Sequence, residues 1–357
     1  MPEHVALYDT TLRDGAQQEG ISLSVADKLA ALPILDDLGA DFIEGGWPGA
    51  IPKDTVFFER ARSIRMRHAR LVAFGATTRP GVSAAEDRQV RALLDSGAQI
   101  ITLVAKSDVR HVKRALRTSE DEGLRMVRDT VAFLSEEGID VMVDLEHFFD
   151  GLAYDPDYGM SVMLEAALAG AVAVILCDTN GGSLPSQVSQ ATRRAREILD
   201  EAGCAGVVLG IHAHNDTGCA VANTIAAVEA GARQIQGTVN GYGERTGNAN
   251  LLTCAANLQL KCGFDVIPEE SLAKLESVSR RISELVNIAP FPREPYVGDS
   301  AFAHKAGLHA SAIRVDPDLY QHIDPATVGN GMRMLVSEMA GKSSIELKAE
   351  ELGIDLE

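Results

Sequence analysis

The feature that most constrains this chain is a unit that repeats eight times. Short apolar, β-rich runs occur at residues 5–8, 42–44, 71–74, 100–104, 141–145, 172–176, 207–211 and 235–239. Helical patterns fill the intervals, at 24–38, 83–94, 118–135, 158–168, 184–202 and 218–230. Five of them run into a glycine just before the next strand: Gly39, Gly97, Gly138, Gly170 and Gly231. A glycine there supplies the left-handed cap that turns the chain back toward a sheet. Strands alternating with helices pair in parallel, and eight such units predict a closed α/β barrel of the (β/α)8 TIM type. The alternative, a doubly wound open sheet, would call for a Gly-rich phosphate fingerprint after the first strand, and none is present.

The barrel is expected to occupy residues 1–287, closing near Gly263, with a further helix at 269–286. Residues 288–300 hold three prolines and predict a linker without regular helix. Residues 301–357 are expected to form a small, mostly helical C-terminal subdomain.

A net charge of −18 argues against general binding to nucleic acid or an anionic membrane, while leaving room for a small anionic substrate in a local basic pocket. The five cysteines show no C-x-x-C spacing, which favours a reducing, cytoplasmic home over a disulfide framework. No apolar run approaches the roughly 20 residues of a membrane helix, and residues 1–5 carry no charged-then-apolar leader.

In such a barrel the chemistry sits where strands end. Unusual polar residues gather there, in Asp9-Thr-Thr-Leu-Arg13-Asp14-Gly15, Glu44-Gly-Gly-Trp47, Asp144-Leu-Glu146-His147, Asp178-Thr179-Asn180, His212-Ala-His214 and Glu244-Arg245-Thr-Gly-Asn248. Each alone suits a helix cap or a turn. Their concentration on one rim is what points to a site. His212 and His214 lie two apart on a strand, so both rings face the same way. With a carboxylate from another strand they make a two-histidine, one-carboxylate metal set, for which Asp14 is the candidate, with Asn248 as a neutral oxygen ligand. Nitrogen and oxygen ligands without thiolate suit Mg, Mn, Co or Zn.

The motifs at 9–15, 212–216 and 243–248 together resemble the DRE-TIM metallolyases, in particular the acyl-CoA-condensing branch that contains isopropylmalate, homocitrate and citramalate synthases. The resemblance covers essentially the whole chain. The loops Ile43-Glu-Gly-Gly-Trp-Pro-Gly and Glu146-His-Phe-Phe-Asp-Gly are most similar to those of citramalate synthases. The resemblance implies a metal-dependent condensation of acetyl-CoA with a 2-oxo acid, pyruvate for that subgroup, on a route to isoleucine. Asp14, His212, His214 and Asn248 match the metal positions. Arg13 matches the arginine beside the keto oxygen, Thr179 the residue that binds the acid's carboxylate, and Glu146 the catalytic glutamate. Glu44 is expected on the pocket rim, orienting ligands. His309, and Tyr320 with it, match residues that the appendage delivers, often to the neighbouring subunit of a homodimer; His304 and His147 read as ordinary polar residues.

The rival reactions are condensation with another 2-oxo acid and carbon–carbon cleavage of the hydroxymethylglutaryl-CoA lyase kind. Such lyases carry a cysteine in the loop after the eighth strand, whereas residues 240–248 have none. A non-catalytic binding protein is disfavoured by the joint presence of Arg13, the ligand set and Glu146. The C-terminal feedback domain common in citramalate and isopropylmalate synthases is not expected within this stretch. The basic runs at 60–70 and 106–117 offer phosphate sites for CoA as one reading, but at helical spacing they read as solvated helix faces.

Overall fold

The computed structural model describes residues 2–335, 346, 348–349 and 353–355. Eight parallel strands close into a barrel in chain order, β8 pairing back onto β1. They are β1 (Ala6–Asp9), β2 (Phe42–Gly46), β3 (Arg70–Ala76), β4 (Ile100–Lys106), β5 (Asp140–Glu146), β6 (Ala173–Asp178), β7 (Val208–Ala213) and β8 (Gln234–Gly237). The strands overlap the apolar runs, but several of them continue into polar residues at their C-terminal ends. Parallel hydrogen bonding carries on for as long as the neighbouring strand does, whatever the side chain.

The helices form where the pattern places them. Val25–Leu38 begins at Ser24, which accepts from the Asp27 amide in a capping box. It stops at Gly39, held at φ 94, where an added Cβ would meet Pro268 at 2.3 Å. The other four capping glycines also take positive φ. The helix expected at 83–94 instead starts at Arg88, because the Asp87 side chain accepts from the Gln89 amide and sets the first turn there. The helix expected at 269–286 is divided into Glu269–Leu272 and Leu275–Val286.

Side chains alternate in and out along each strand, and this separates two cores. Leu103, Val143, Leu176 and Ile211 point outward into the large layer between strands and helices. Tyr8, Val72, Ile100, Met142, Ala173, Ile175 and Cys177 fill the barrel itself. By the same parity Glu44, Thr102, Lys106, Asp144, Glu146, His212 and Gln236 project into the barrel.

The segment after the barrel differs from the expected tether. Its prolines exclude a helix, yet Tyr296 and Val297 are buried, and the Tyr296 hydroxyl donates to Asn257 Oδ1 at 2.7 Å. Asn250 donates to Glu294 at 2.8 Å. Beyond it lie the helix Gly307–Val315, short 3-10 turns, and a two-stranded parallel pair, Ala303–His304 with Arg333–Met334. The described part of 301–357 thus agrees with the helical C-terminal region expected, with one short strand pair added.

One buried ion pair fixes the loop after β2. Lys28 Nζ donates to Gly45 O at 2.9 Å and to Asp54 Oδ1 at 2.5 Å, while Asp54 Oδ2 accepts the Trp47 amide at 2.9 Å. Both side chains are almost wholly enclosed. Lys28→Met strands a buried carboxylate, and the expected cost is about 3–5 kcal/mol, read as a lower urea midpoint. A substitution without effect on the midpoint would show that the pair is not needed.

Candidate active site at the barrel mouth

The loop after β1 is shaped by a buried carboxylate. Asp9 accepts from the Thr11 amide at 3.0 Å and from its hydroxyl at 2.8 Å. Burial pushes Asp9 up to about 7, against the pull of those bonds. The resulting tight turn delivers Arg13 and Asp14 to the mouth. Arg13 Nε donates to Glu44 Oε2 at 2.5 Å, Nη1 lies 3.8 Å from Asp14 Oδ1, and the guanidinium sits 3.8 Å above the Phe74 ring. Two carboxylates and an aromatic face thus hold one cation.

Glu44 does not lie on the pocket rim as expected. It is fully buried, and its two oxygens also accept from Tyr8 and Thr10 hydroxyls at 2.8 Å each. With three donors on it and no exposed surface, it sits beneath the cavity and not in its lining. Its role is to fix Arg13.

Asp14, His212 and His214 present ligand atoms that all lie within 4.8 Å of one another, and all three residues are buried. Asp14 Oδ2 is 3.1 Å from His212 Nε2 and 3.8 Å from His214 Nε2, and the two Nε2 atoms are 3.4 Å apart. The histidine tautomer follows from the next layer. Gln236 Nε2 donates to Asp144 Oδ1 at 3.0 Å, so Gln236 Oε1 faces His212 Nδ1, also at 3.0 Å. An amide oxygen only accepts, which fixes a proton on Nδ1; Nε2 therefore faces Asp14, donating to it while the ring is protonated and offering a lone pair to a cation once that proton leaves. Asn248 pairs with His214 across a backbone bridge. Its Nδ2 donates to Tyr242 O at 3.0 Å, while its buried Oδ1 has no partner among the described residues. A carboxylate, two imidazoles and an orphaned amide oxygen fit a divalent cation.

The electrostatics agree. Burial alone would raise Asp14, but Arg13, His212 and His214 outweigh it and hold the carboxyl well below the usual range. Burial would lower His212, and the bond to Asp14 overcomes it, leaving the ring above its ordinary value. His214 is pushed down to about 4 by burial and by its neighbour His212.

These groups open into a cavity of about 520 Å³. Glu146, Lys106 and Thr179 line the same cavity, Thr179 following the strand that pairs directly with that of the histidines. The His147 amide donates to Thr179 Oγ1 at 2.8 Å, leaving the hydroxyl proton free to donate. His147 takes φ 59 to do this, a left-handed conformation uncommon outside glycine. Lys106 pairs with Glu146, so the expectation that the basic run 106–117 is a solvated helix face fails for its first residue. Lys106 belongs to β4, not to a helix, and its parity was the available signal. Gln236 was missed, and Asp144, noted on the rim, was given no role; burial pushes Asp144 up to about 7. His309 and Tyr320 are not brought to this cavity. They stack on each other with ring centroids 4.1 Å apart, and Tyr320 is exposed.

Calorimetric titration with Mn²⁺ is expected to detect a single site. Asp14→Ala or His212→Ala should weaken it by about 10–100-fold or more. Binding should release a proton from His212, so affinity falls as pH drops through a value above the ordinary histidine 6.5. His214 is already neutral above about pH 5 and should contribute none. Unchanged affinity in both variants would remove the site.

Comparison with known proteins agrees with the fold and with the family resemblance. Residues 4–282 match the HMGL-like family model, and residues 296–357 match a model described as homocitrate synthase post-HMGL domain-like. The chain is 63% identical to an (R)-citramalate synthase of Streptomyces coelicolor, over 98% of this chain and 65% of that one. It is 52% identical to an (R)-citramalate synthase of Synechocystis, over 98% and 64%. The chain thus spans slightly less than two thirds of these two relatives. It is 35% identical to the homocitrate synthase AksA of Methanopyrus kandleri, over 100% of this chain and 85% of that one. Among solved structures, the hydroxymethylglutaryl-CoA lyase of Pseudomonas aeruginosa superposes with a TM-score of 0.66 at 23% identity, covering 81% of this chain and 95% of the lyase. With its barrel matched from end to end and relatives well above 30% identity, the chain belongs to the HMGL-like family.

Proposed function

We propose that the chain catalyses the condensation of acetyl-CoA with pyruvate and water to give (R)-citramalate and free CoA. The observation that carries this reading is the gathering of all these groups in one cavity: Arg13, Asp14, His212 and His214 line it together with Glu146 and Thr179. The high identity to proteins named (R)-citramalate synthase supports pyruvate as the acceptor.

A divalent cation held by Asp14, His212, His214 and Asn248 would supply Lewis acidity and a template for the two oxygens of the oxo acid. Thr179 donates its free hydroxyl proton to the acceptor carboxylate. Arg13, pinned by Glu44, meets the keto oxygen, where its charge stabilises the alkoxide that grows as the new bond forms. Glu146 takes a methyl proton from acetyl-CoA, and the resulting carbon adds to the keto carbon. Water then cleaves the thioester. His309 and Tyr320, stacked away from their own cavity, serve the cavity of a second copy in a homodimer. The compartment for this chemistry is the cytoplasm, and its product feeds isoleucine formation.

A panel of pyruvate, 2-oxobutyrate, 2-oxoisovalerate and 2-oxoglutarate at fixed acetyl-CoA is expected to give the highest kcat/KM with pyruvate. Preference for either of the last two overturns the substrate assignment. Glu146→Gln should lower CoA release by about 10²–10⁴-fold while pyruvate affinity is retained; near-normal release would remove Glu146 as the base.

A further inference from the structure

We propose that Lys106 is a catalytic residue: its ammonium receives the negative charge that appears on the thioester oxygen when acetyl-CoA is enolised. The inference rests on the reading of Glu146 as the enolising base.

Strand register puts the two residues together. Lys106 and Glu146 are the last residues of β4 and β5 and are paired partners in the ladder. Both point into the barrel by parity, both line the cavity, and their side chains form an ion pair. The backbone beneath is held twice, by the Ser107 amide and the Ser107 hydroxyl, which donate to Glu146 O at 3.2 and 2.7 Å. The ammonium therefore stands at the base by construction.

Three arginines also line the cavity, and each is anchored by groups other than Glu146. Arg13 is held by Glu44 and Asp14. Arg79 donates to the buried Asp87 at 3.1 Å. Arg245 grips Asp216 at 2.8 and 2.9 Å and the Thr179 carbonyl at 2.8 Å. Among the described residues Lys106 donates to Glu146 alone. An ammonium has three hydrogens, so two remain for a ligand.

The chemistry needs such a donor here. As Glu146 takes the methyl proton, the C–H electron pair becomes the carbon–carbon π bond, and the carbonyl π pair moves onto the thioester oxygen. That oxygen lies two bonds from the carbon being deprotonated. A base within about 2.6–3.2 Å of the methyl hydrogen leaves its ion-pair partner within reach of the oxygen. Lys106 keeps its proton and gives only a hydrogen bond. When the carbon adds to the keto group, the pair returns, the carbonyl re-forms, and the negative charge passes to the oxygen facing Arg13. Two fixed cations thus receive the charge in turn, one at each end of the new bond.

The test compares the unaltered chain with Lys106→Met, Lys106→Arg and Glu146→Gln. CoA release is followed, and calorimetry measures binding of carboxymethyl-CoA, whose carboxylate imitates the enolate. Lys106→Met is expected to lower kcat by about 10²–10³-fold, with KM for acetyl-CoA moved by less than about threefold. It should weaken carboxymethyl-CoA by at least about 30-fold, and Lys106→Arg should restore most of both. Glu146→Gln should lose CoA release yet keep its grip on carboxymethyl-CoA. Three results overturn the proposal: unchanged kcat in Lys106→Met, a rise in KM alone, or a fall in kcat with carboxymethyl-CoA affinity intact. The last would make Lys106 only a support for Glu146. An unaltered chain that releases no CoA overturns the underlying reading, and the inference with it.

Discussion

A closed barrel of eight strands gives every second side chain nowhere to go but inward, and this alternation arranges everything else in the molecule. Apolar groups at the lower levels, among them Val72, Ile100, Met142 and Ile175, pack as an aliphatic plug. Above them the same parity brings in Tyr8, Glu44 and Thr102, whose polar atoms must find partners away from water and are linked through the Tyr8 hydroxyl. Glu44 settles that problem by taking donors from three residues, and in doing so it orients Arg13. The site is thus the upper layer of the core, continuous with it in both packing and hydrogen bonding.

Electrostatically, the mouth departs from the character of the chain. The whole carries a net charge of −18, yet the cavity sets Arg13, Arg79, Lys106 and Arg245 among the carboxylates that line it. A long-range negative field and local cationic donors coexist because interactions between exposed charges are screened beyond about 8–10 Å, while those inside a low-dielectric cleft are screened less. The anchoring carboxylates also set each cation's position, so an incoming anion meets donors that need little reorganisation.

Much of this was legible in the sequence. The repeat length, the glycine caps and the rim motifs come from local rules, so the barrel and the cluster of Asp14, His212 and His214 could be read directly. What escaped depends on where strands stop and on who lies across the barrel. The β4 ladder runs on through Lys106 because β5 runs on beside it, although a lysine followed by arginines looks like a solvated helix. Glu44 looks like a rim ligand until Tyr8, Thr10 and Arg13 are seen to use up its oxygens. Gln236 and Asp144 matter through contacts more than ninety residues apart. His309 and Tyr320 are legible only as a motif, for nothing in their own chain's cavity receives them.

The packed stretch after the barrel has a consequence for reach. A free coil of the length of residues 288–300 would let its far end wander over about 20 Å. Burying Tyr296 and Val297, with the Tyr296 hydroxyl bonded to Asn257 of the helix Leu251–Leu260, replaces that slack with a short stalk. Whatever the segment bearing His309 touches is then decided by the geometry of the stalk, as with the arm of a clamp, and a residue inserted between 288 and 300 would alter its throw more than its stability.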